Sequence, residues 1–265
     1  MEKKTGYTDL DGTRIYYEVT GSGPTLVLIH GFTLDSRMWE PQVKTFSENY
    51  QVLCYDLRGF GKSDLPTGDS FSHSKDLKLL LDHLDISKAY ILGLSLGGRI
   101  AIDFVLEYPE MADALIPADS GLGGYNLIEF GKSLEGVVEL AFSTGIDEAK
   151  VLFGSLDVFK SAAVIPDVAN RLWNILADYS GWHFINENPA ISLEPPSIQQ
   201  LKNINTPTLI LVGEFDSAEL HEVSNSLHEQ IKDSRKEVLS GVGHVSNLED
   251  PEQFNNIVLE FLADL

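Results

Sequence analysis

Cysteine is nearly missing from this sequence, since Cys54 is the only one among its 265 residues. The chain therefore has no second thiol with which to form an intramolecular disulfide. Cys54 lies within the apolar run QVLCYDL, and this placement predicts a buried residue in a strand.

Positive charge is also scarce, because 19 lysines and arginines face 40 aspartates and glutamates, giving a formal net charge of −21. A surface of this sign repels nucleic acid and anionic membranes at long range. We therefore expect neither nucleic acid nor a membrane as a partner. The same charge disfavours polyanionic substrates unless the binding site carries its own cation.

Long hydrophobic runs are absent as well. No stretch approaches the ~18 uninterrupted apolar residues of a membrane-spanning helix. The first residues, MEKKTGYTDLDG, lead from charged residues straight into a strand-like pattern, without the apolar region of a secretory signal. We therefore expect a cytoplasmic protein, with one large α/β domain or a core that carries an inserted subdomain. The sequence gives no indication of oligomeric state.

Five nearly continuous apolar runs predict the sheet. Such runs are typical of parallel strands that are covered on both faces. A shorter run, KEVL at 236–239, predicts an edge strand, and Asp11-Gly12 predicts the turn of an N-terminal hairpin. The five runs are TLVLIH (25–30), QVLCYDL (51–57), AYILGL (89–94), ADALIPA (112–118) and PTLILVG (207–213).

Helical periodicity separates these runs. Leucines at 77, 80, 81 and 84 form one apolar stripe, and the C-terminal segment has another. Asp250, Pro251 and Gln253 supply the start of that last helix as N-cap, first helical residue and capping-box partner. The alternation of strand and helix predicts an α/β fold with a doubly wound, mostly parallel sheet.

One long segment interrupts the alternation. Residues 121–203 contain no convincing buried strand, but apolar residues recur at helical spacing from Leu134 to Ala141 and from Val168 to Leu176. A connection of this length predicts an inserted helical subdomain rather than a loop. The expected organisation is a core made of residues 1–120 and 204–265, with a helical cap at 121–203.

The stretch GLSLGG places Ser95 between a predicted strand and a predicted helix. A serine at this point takes a strained turn that lifts its hydroxyl clear of the sheet, and Gly93 and Gly97 leave room for the crossing backbone. The N–H groups at the start of the following helix favour negative charge there. The pattern predicts that Ser95 is a nucleophile.

A serine nucleophile needs a base and a carboxylate that orients the base. His244 lies in the glycine-rich turn of SGVGHVSNLEDP, before the capped C-terminal helix. For the carboxylate, LILVGEFDSAEL offers Asp216 and, as a rival, Glu214, both following a strand. Asp119, at the end of the preceding predicted strand, is another rival.

These motifs together resemble the α/β-hydrolase superfamily over nearly the whole chain. The resemblance implies that Ser95 is the nucleophile, His244 the general base and later the acid, and Asp216 the residue that orients the imidazole. It further implies an oxyanion hole formed by the backbone N–H groups of Phe32 and Leu96. The matching stretches are LIHGFTLDSRMW, YDLRGFGKSD, GLSLGG, LVGEFDSAEL and GVGHVSNLEDP.

The insertion falls where that family places its cap, so some of its aromatic side chains should face the serine. We expect Trp182 and Phe184, together with Val245 beside the predicted base, to contact substrate. The segment HEVSN at 221–225 resembles the start of a zinc motif, but asparagine replaces its second histidine. We expect no metal and no organic cofactor.

The implied activity is hydrolysis of a small-molecule carboxylic ester or lactone through an acyl-enzyme, similar to carboxylesterases and 3-oxoadipate enol-lactonases. Carbon–carbon bond hydrolases of ring-cleavage products are the enzymatic alternative. Those enzymes usually carry a glycine-rich turn of the type HG-x-G-P-G, where this chain has HGFTLDS. Halogenation and perhydrolysis also occur on such scaffolds, and a non-catalytic ligand-binding protein is the alternative outside enzymes.

Overall fold

The computed structural model describes residues 3–265, so the first two residues of the predicted core lie outside the described part. The described residues form one sheet of eight strands. Their bounds are β1 (Lys3–Leu10), β2 (Thr13–Thr20), β3 (Thr25–Ile29), β4 (Gln51–Tyr55), β5 (Ala89–Leu94), β6 (Ala112–Ala118), β7 (Leu209–Gly213) and β8 (Arg235–Leu239).

The strand order is β1-β2-β4-β3-β5-β6-β7-β8. Strands β1 and β2 are antiparallel to each other, and β2 is antiparallel to β4. The remaining pairs are parallel, which confirms the prediction of a mostly parallel sheet. The run KEVL lies in β8 at one edge, as predicted.

The N-terminal hairpin turns at the predicted dipeptide. Asp11 has φ 51° and Gly12 has φ 80°, the two positive values that a tight hairpin turn with right-handed strand twist requires. The carboxylate of Asp9 accepts a hydrogen bond from the Gly12 N–H at 2.8 Å. Local sequence thus specifies this turn.

Helices cover both faces of the sheet. Of the residues that the structure describes, none forms a helix long and apolar enough to cross a membrane. The helices are α1 (Glu40–Phe46), α2 (His73–His83), α3 (Leu96–Glu107), α4 (Ile128–Ser143), α5 (Ile146–Gly154), α6 (Lys160–Ala163), α7 (Pro166–Asp178), α8 (Trp182–Ile185), α9 (Ala218–Gln230), α10 (Ser246–Glu249) and α11 (Pro251–Ala263).

The two faces of the sheet explain the continuous apolar runs. In β3, Val27 and Ile29 belong to one buried cluster, while Leu26 and Leu28 belong to the cluster on the opposite face. Successive side chains of a strand point to opposite sides, so a strand that is covered on both sides is apolar at nearly every position, as the four residues after Thr25 are. All five residues of this strand are buried.

Between β6 and β7 the chain forms helices α4 to α8 and no strand. The buried residues of α7 include the apolar positions that the periodicity predicts, from Val168 to Leu176. Helix α4 buries Val137 and Ala141. The three other helices of this segment were not individually predicted, because each is short and α6 and α8 have four residues.

A buried ion pair joins the N-terminal hairpin to α2. The guanidinium of Arg58 donates to both carboxylate oxygens of Asp76, at 2.7 and 2.8 Å. It also donates to the Thr13 hydroxyl and to the carbonyl of Leu10. Both charged side chains are 5% exposed. Removing one partner would leave a charge that is neither paired nor solvated.

We expect Asp76→Ala to lower the free energy of unfolding by about 3–5 kcal/mol, because Arg58 would remain buried without its counter-ion. Asp82→Ala is the matched control, since Asp82 lies on the same helix and forms a solvent-exposed pair with Lys78. This control should cost less than about 0.5 kcal/mol. Urea unfolding of the two variants tests the account, and equal losses would contradict it.

Candidate active site

Ser95 lies at a sharp turn between β5 and α3. Its φ of 56° and ψ of −112° are strained values for a residue with a side chain. The neighbouring strand holds the turn, because the Ser95 N–H donates to the carbonyl of Ala118 at 2.9 Å. Ser95 is half-buried and directly follows the last residue of β5. Its hydroxyl therefore lies at the carboxyl end of the sheet, where ligands bind in open α/β folds.

Two glycines make this turn sterically possible. A Cβ on Gly93 would lie 2.1 Å from the carbonyl oxygen of Gly97. A Cβ on Gly97 would lie 2.1 Å from the carbonyl oxygen of Ile29. Real side chains do not tolerate such distances, so the roles predicted for these two glycines agree with the backbone crowding found here.

The structure brings Ser95, His244 and Asp216 into one hydrogen-bonded series. His244, in the loop between β8 and α10, has its Nε2 3.0 Å from the Ser95 Oγ. Its Nδ1 lies 3.0 Å from Oδ2 of Asp216. The other carboxylate oxygen accepts from the Ser217 N–H at 2.7 Å. This arrangement lets the imidazole take a proton from the serine while the carboxylate fixes the ring orientation.

Glu214 does not contact the histidine. Its carboxylate accepts hydrogen bonds from the Gly241 N–H at 2.7 Å and from the Ser240 hydroxyl at 3.1 Å. Both donors belong to the loop that precedes His244. Glu214 therefore anchors that loop rather than the imidazole.

Asp119 is the second rival, and its carboxyl is fully buried at the end of β6. One oxygen accepts from the Gly213 N–H at 2.8 Å, and the other lies 2.5 Å from the Ser246 hydroxyl. Burial and the nearby Asp216 carboxylate raise the pKa of Asp119 to about 8. Asp119 ties the end of β7 to the start of α10, the helix that follows His244.

The charge state of His244 depends on two opposing effects. Burial alone lowers the pKa of its ring, because a buried cation loses solvation. The carboxylates around the ring, Asp216 first and then Asp119 and Glu249, together raise the pKa by more than burial lowers it, so the net shift is upward. The site is thus suited to hold an imidazolium, the species that forms when the serine gives up its proton.

Two backbone N–H groups near Ser95 make no hydrogen bond within residues 3–265. Leu96 is the first residue of α3, and Phe32 follows Gly31, where a Cβ would lie only 3.5 Å from the Ser95 Cβ. Neither N–H has a hydrogen-bond acceptor among residues 3–265. These are the two groups that the family resemblance implies as an oxyanion hole.

His30 fixes the loop that carries Phe32, and its role was not predicted. The Leu57 N–H donates to its Nε2 at 2.9 Å, so the proton resides on Nδ1, which donates to the Gly31 carbonyl at 2.8 Å. The ring is fully buried, and burial lowers its pKa. A histidine at a strand end, directly before glycine, was the available signal.

A cavity of about 800 Å³ opens beside Ser95 and His244. Its walls come from α4, from residues 156–165 and from the loops after β7 and β8. These walls are largely apolar, with a few charged side chains that include Lys160. The apolar lining includes Leu127, Phe130, Leu156, Ile165, Phe215 and Leu220.

The predicted substrate contacts Trp182, Phe184 and Val245 do not line this cavity. Phe184 is 1% exposed and packs against the ring of Phe32, while Val245 is completely buried. Phe184 and Val245 thus belong to the packed core, and Trp182 is half-buried outside the cavity. The lining residues were missed because periodicity does not tell which side of a short helix faces a cavity.

His73, at the start of α2, is a second buried histidine. Its Nδ1 has no partner among residues 3–265, and its ring packs on Phe71. Burial lowers its pKa to about 3.

Across the described residues, no group of three or more histidine, cysteine, aspartate or glutamate side chains is arranged to hold a metal ion.

A family model described as the alpha/beta hydrolase fold matches residues 24–251 of this chain. This match covers most of the sequence and includes Ser95, Asp216 and His244. The chain belongs to the α/β-hydrolase fold family.

Named relatives span almost the full length of the chain. The 2-hydroxy-6-oxononadienedioate/2-hydroxy-6-oxononatrienedioate hydrolase of Paraburkholderia xenovorans is 30% identical and aligns over 94% of this chain and 91% of its own. The 3-oxoadipate enol-lactonase 1 of Acinetobacter baylyi is 26% identical, with 97% and 96% covered. A thermophilic esterase from Thermogutta terrifontis superposes with a TM-score of 0.83 at 26% identity, with 100% and 99% covered.

We expect the ring of His244 to titrate above the ordinary histidine pKa of about 6.5, because Asp216 stabilises its cation. Asp216→Asn should lower that pKa, since burial would then be opposed only by more distant carboxylates. Glu214→Gln is the matched control and should leave the pKa unchanged. Proton NMR of the histidine rings measures the pKa of His244 in the wild type and in both variants. A larger shift in Glu214→Gln than in Asp216→Asn would contradict the assignment.

Proposed function

We propose that this protein is a serine hydrolase that cleaves a small-molecule carboxylic ester or lactone through an acyl-enzyme. The observation that carries the proposal is the hydrogen-bonded series from Ser95 through His244 to Asp216, with both links at 3.0 Å. It lies beside a cavity large enough for a small organic substrate. The esterase and lactonase among the similar proteins support the same reaction class.

The chemistry begins with proton transfer from the Ser95 hydroxyl to Nε2 of His244 as Oγ attacks the acyl carbon. Asp216 holds the other ring nitrogen and stabilises the imidazolium. His244 then gives the proton to the departing alcohol oxygen, and the carbon–oxygen bond breaks. A water molecule, deprotonated by the same ring, cleaves the acyl-enzyme and regenerates the serine. No cofactor is required for these steps.

The charge on the carbonyl oxygen needs donors that are already in place. The free N–H groups of Phe32 and Leu96 are proposed to bind it, and the dipole of α3 adds to the effect. His30 supports this role, because its two hydrogen bonds fix the loop before Phe32. Such preorganised donors avoid reorganisation as charge develops.

We further propose that residues 121–203 act as a cap on the core formed by residues 1–120 and 204–265. Helix α4 and residues 156–165 of this segment contribute walls of the cavity beside Ser95. Ion pairs between Arg37 and Asp178, and between Arg171 and Glu40, support contact between the two parts. A cap in this position would select substrates by shape and exclude water.

The charges of the cavity favour substrates without carboxylates over the dicarboxylate named for the Paraburkholderia relative. Lys160 is the only lysine or arginine among the described residues that line the cavity. Asp157 and Glu219 lie in the same walls, whereas Glu129 is already paired with Lys132. The formal net charge of −21 adds a long-range repulsion of anions. Ester hydrolysis therefore ranks above cleavage of a dienedioate.

We expect Ser95→Ala to lower kcat for p-nitrophenyl acetate by about ten-thousand-fold or more, because the acyl-enzyme cannot form. Ser224→Ala is the matched control, since this buried serine on α9 bonds to the His221 carbonyl of its own helix. It should retain nearly full activity. Steady-state kinetics on folded protein provides the measurement. Equal activity of wild type and Ser95→Ala would refute the serine mechanism, and an inactive wild type would favour a binding role.

A further inference from the structure

The large cavity lies on one side of Ser95, the side of the base. Its walls include His244, Gly241 and Gly243 of the loop before the histidine, and Phe215 next to Asp216. The oxyanion-loop residue Phe32 is not among them. The open space at the reacting centre is therefore distributed unevenly between the two sides of the serine.

The side of Phe32 is filled by aromatic rings. The Phe32 ring centroid lies 5.8 Å from those of Phe60 and Phe153, 5.7 Å from His183 and 6.3 Å from Phe184. Phe60, Phe153 and Phe184 are each at most 2% exposed. Since packed rings leave little free volume, a long chain cannot be accommodated there without displacing the core.

The small cavity near this loop does not change that conclusion. It has a volume of about 110 Å³ and borders Thr33 and Leu34, which follow Phe32. Neither Ser95 nor His244 lines it. It therefore adds no room at the carbon that the serine attacks.

The stereochemistry of acyl transfer assigns these two sides to the two halves of an ester. In the tetrahedral intermediate, the oxyanion faces the N–H groups of Phe32 and Leu96. The alcohol oxygen must lie within reach of Nε2 of His244, because that nitrogen protonates it. The alcohol half therefore extends along the side of His244, and the acyl half is left with the more crowded side.

We propose that the substrate is an ester of a small acyl group with a large apolar alcohol, the alcohol occupying the 800 Å³ cavity. This inference rests on the proposed function and specifies its substrate class. The apolar side chains of Leu127, Phe130, Ile165 and Phe215 line the space assigned to the alcohol. Burial of the alcohol's methylenes among these side chains removes apolar surface from water and so favours binding.

The reaction keeps its balance with this assignment. The bond between Ser95 Oγ and the acyl carbon forms, and the bond between that carbon and the alcohol oxygen breaks. The large alcohol leaves with the proton that His244 took from the serine. Water then attacks the acyl carbon, and the bond from that carbon to Ser95 Oγ breaks to give a short carboxylic acid. One proton of the water passes through His244 to the serine, and the other stays on the acid.

A pair of isomeric esters tests the proposal. Hexyl acetate and methyl heptanoate have the same atoms and similar intrinsic reactivity, and they differ in which half is long. We expect kcat/KM to be more than about tenfold higher for hexyl acetate, because only its long half enters the apolar cavity. Acid release in a pH-stat measures both rates.

Several results would overturn the proposal in distinguishable ways. Equal rates for the isomers, or a preference for methyl heptanoate, would refute the assignment of the two sides while leaving the serine hydrolase intact. If the protein hydrolyses none of the three esters (hexyl acetate, methyl heptanoate and p-nitrophenyl acetate), the proposed function is refuted, and this inference with it.

A matched pair of variants on α4 locates the effect. Ser133 lines the cavity, and its hydroxyl donates to the Glu129 carbonyl one turn earlier. Ser143 makes the same kind of bond to Glu139 but lies outside the cavity lining. Ser133→Trp should reduce the ratio of hexyl acetate to methyl heptanoate activity by about tenfold. Ser143→Trp should keep the wild-type ratio, and equal ratios in both variants would contradict the proposal.

Discussion

The strained turn at Ser95 is the constraint on which the site depends. It requires a strand that ends and a helix that begins within one residue. A side chain at position 93 would collide with the carbonyl of Gly97, and one at position 97 would collide with the carbonyl of Ile29. The same geometry leaves the Leu96 N–H without an acceptor among residues 3–265. One turn thus exposes the hydroxyl and supplies a donor beside it.

Buried carboxyl groups then hold the other loops against this turn. Asp216 accepts from its own loop and from His244, while Asp119 ties the end of β7 to Ser246. Burial of two acids near one imidazole raises the pKa of Asp119 to about 8. Asp119 thus links the strand end to α10 through hydrogen bonds, while Asp216 is the acid whose Oδ2 lies 3.0 Å from the His244 ring.

Much of the sheet could be predicted from sequence because its strands are covered on both faces, as the continuous apolar runs require. The contact of Ser95 with His244 was predictable from motif order, although 149 residues separate them. The residues that line the cavity were not predictable. Phe184 and Phe215 are both phenylalanines of the C-terminal half, yet Phe184 is buried and Phe215 is 63% exposed and lines the cavity. Phe184 is covered by the rings of Phe32, Phe153 and Tyr179, whereas Phe215 lies in the loop after β7. Periodicity does not encode such long-range contacts.

The central claim is that Ser95 is the group that attacks an acyl carbon. A fluorophosphonate reports this directly, because it bonds only to an activated nucleophile and mimics the tetrahedral intermediate. Intact-protein mass spectrometry with peptide mapping should find a single adduct per chain, on the peptide that contains Ser95, and none in Ser95→Ala. A folded wild-type protein without an adduct, or an adduct that persists in Ser95→Ala, would contradict the account.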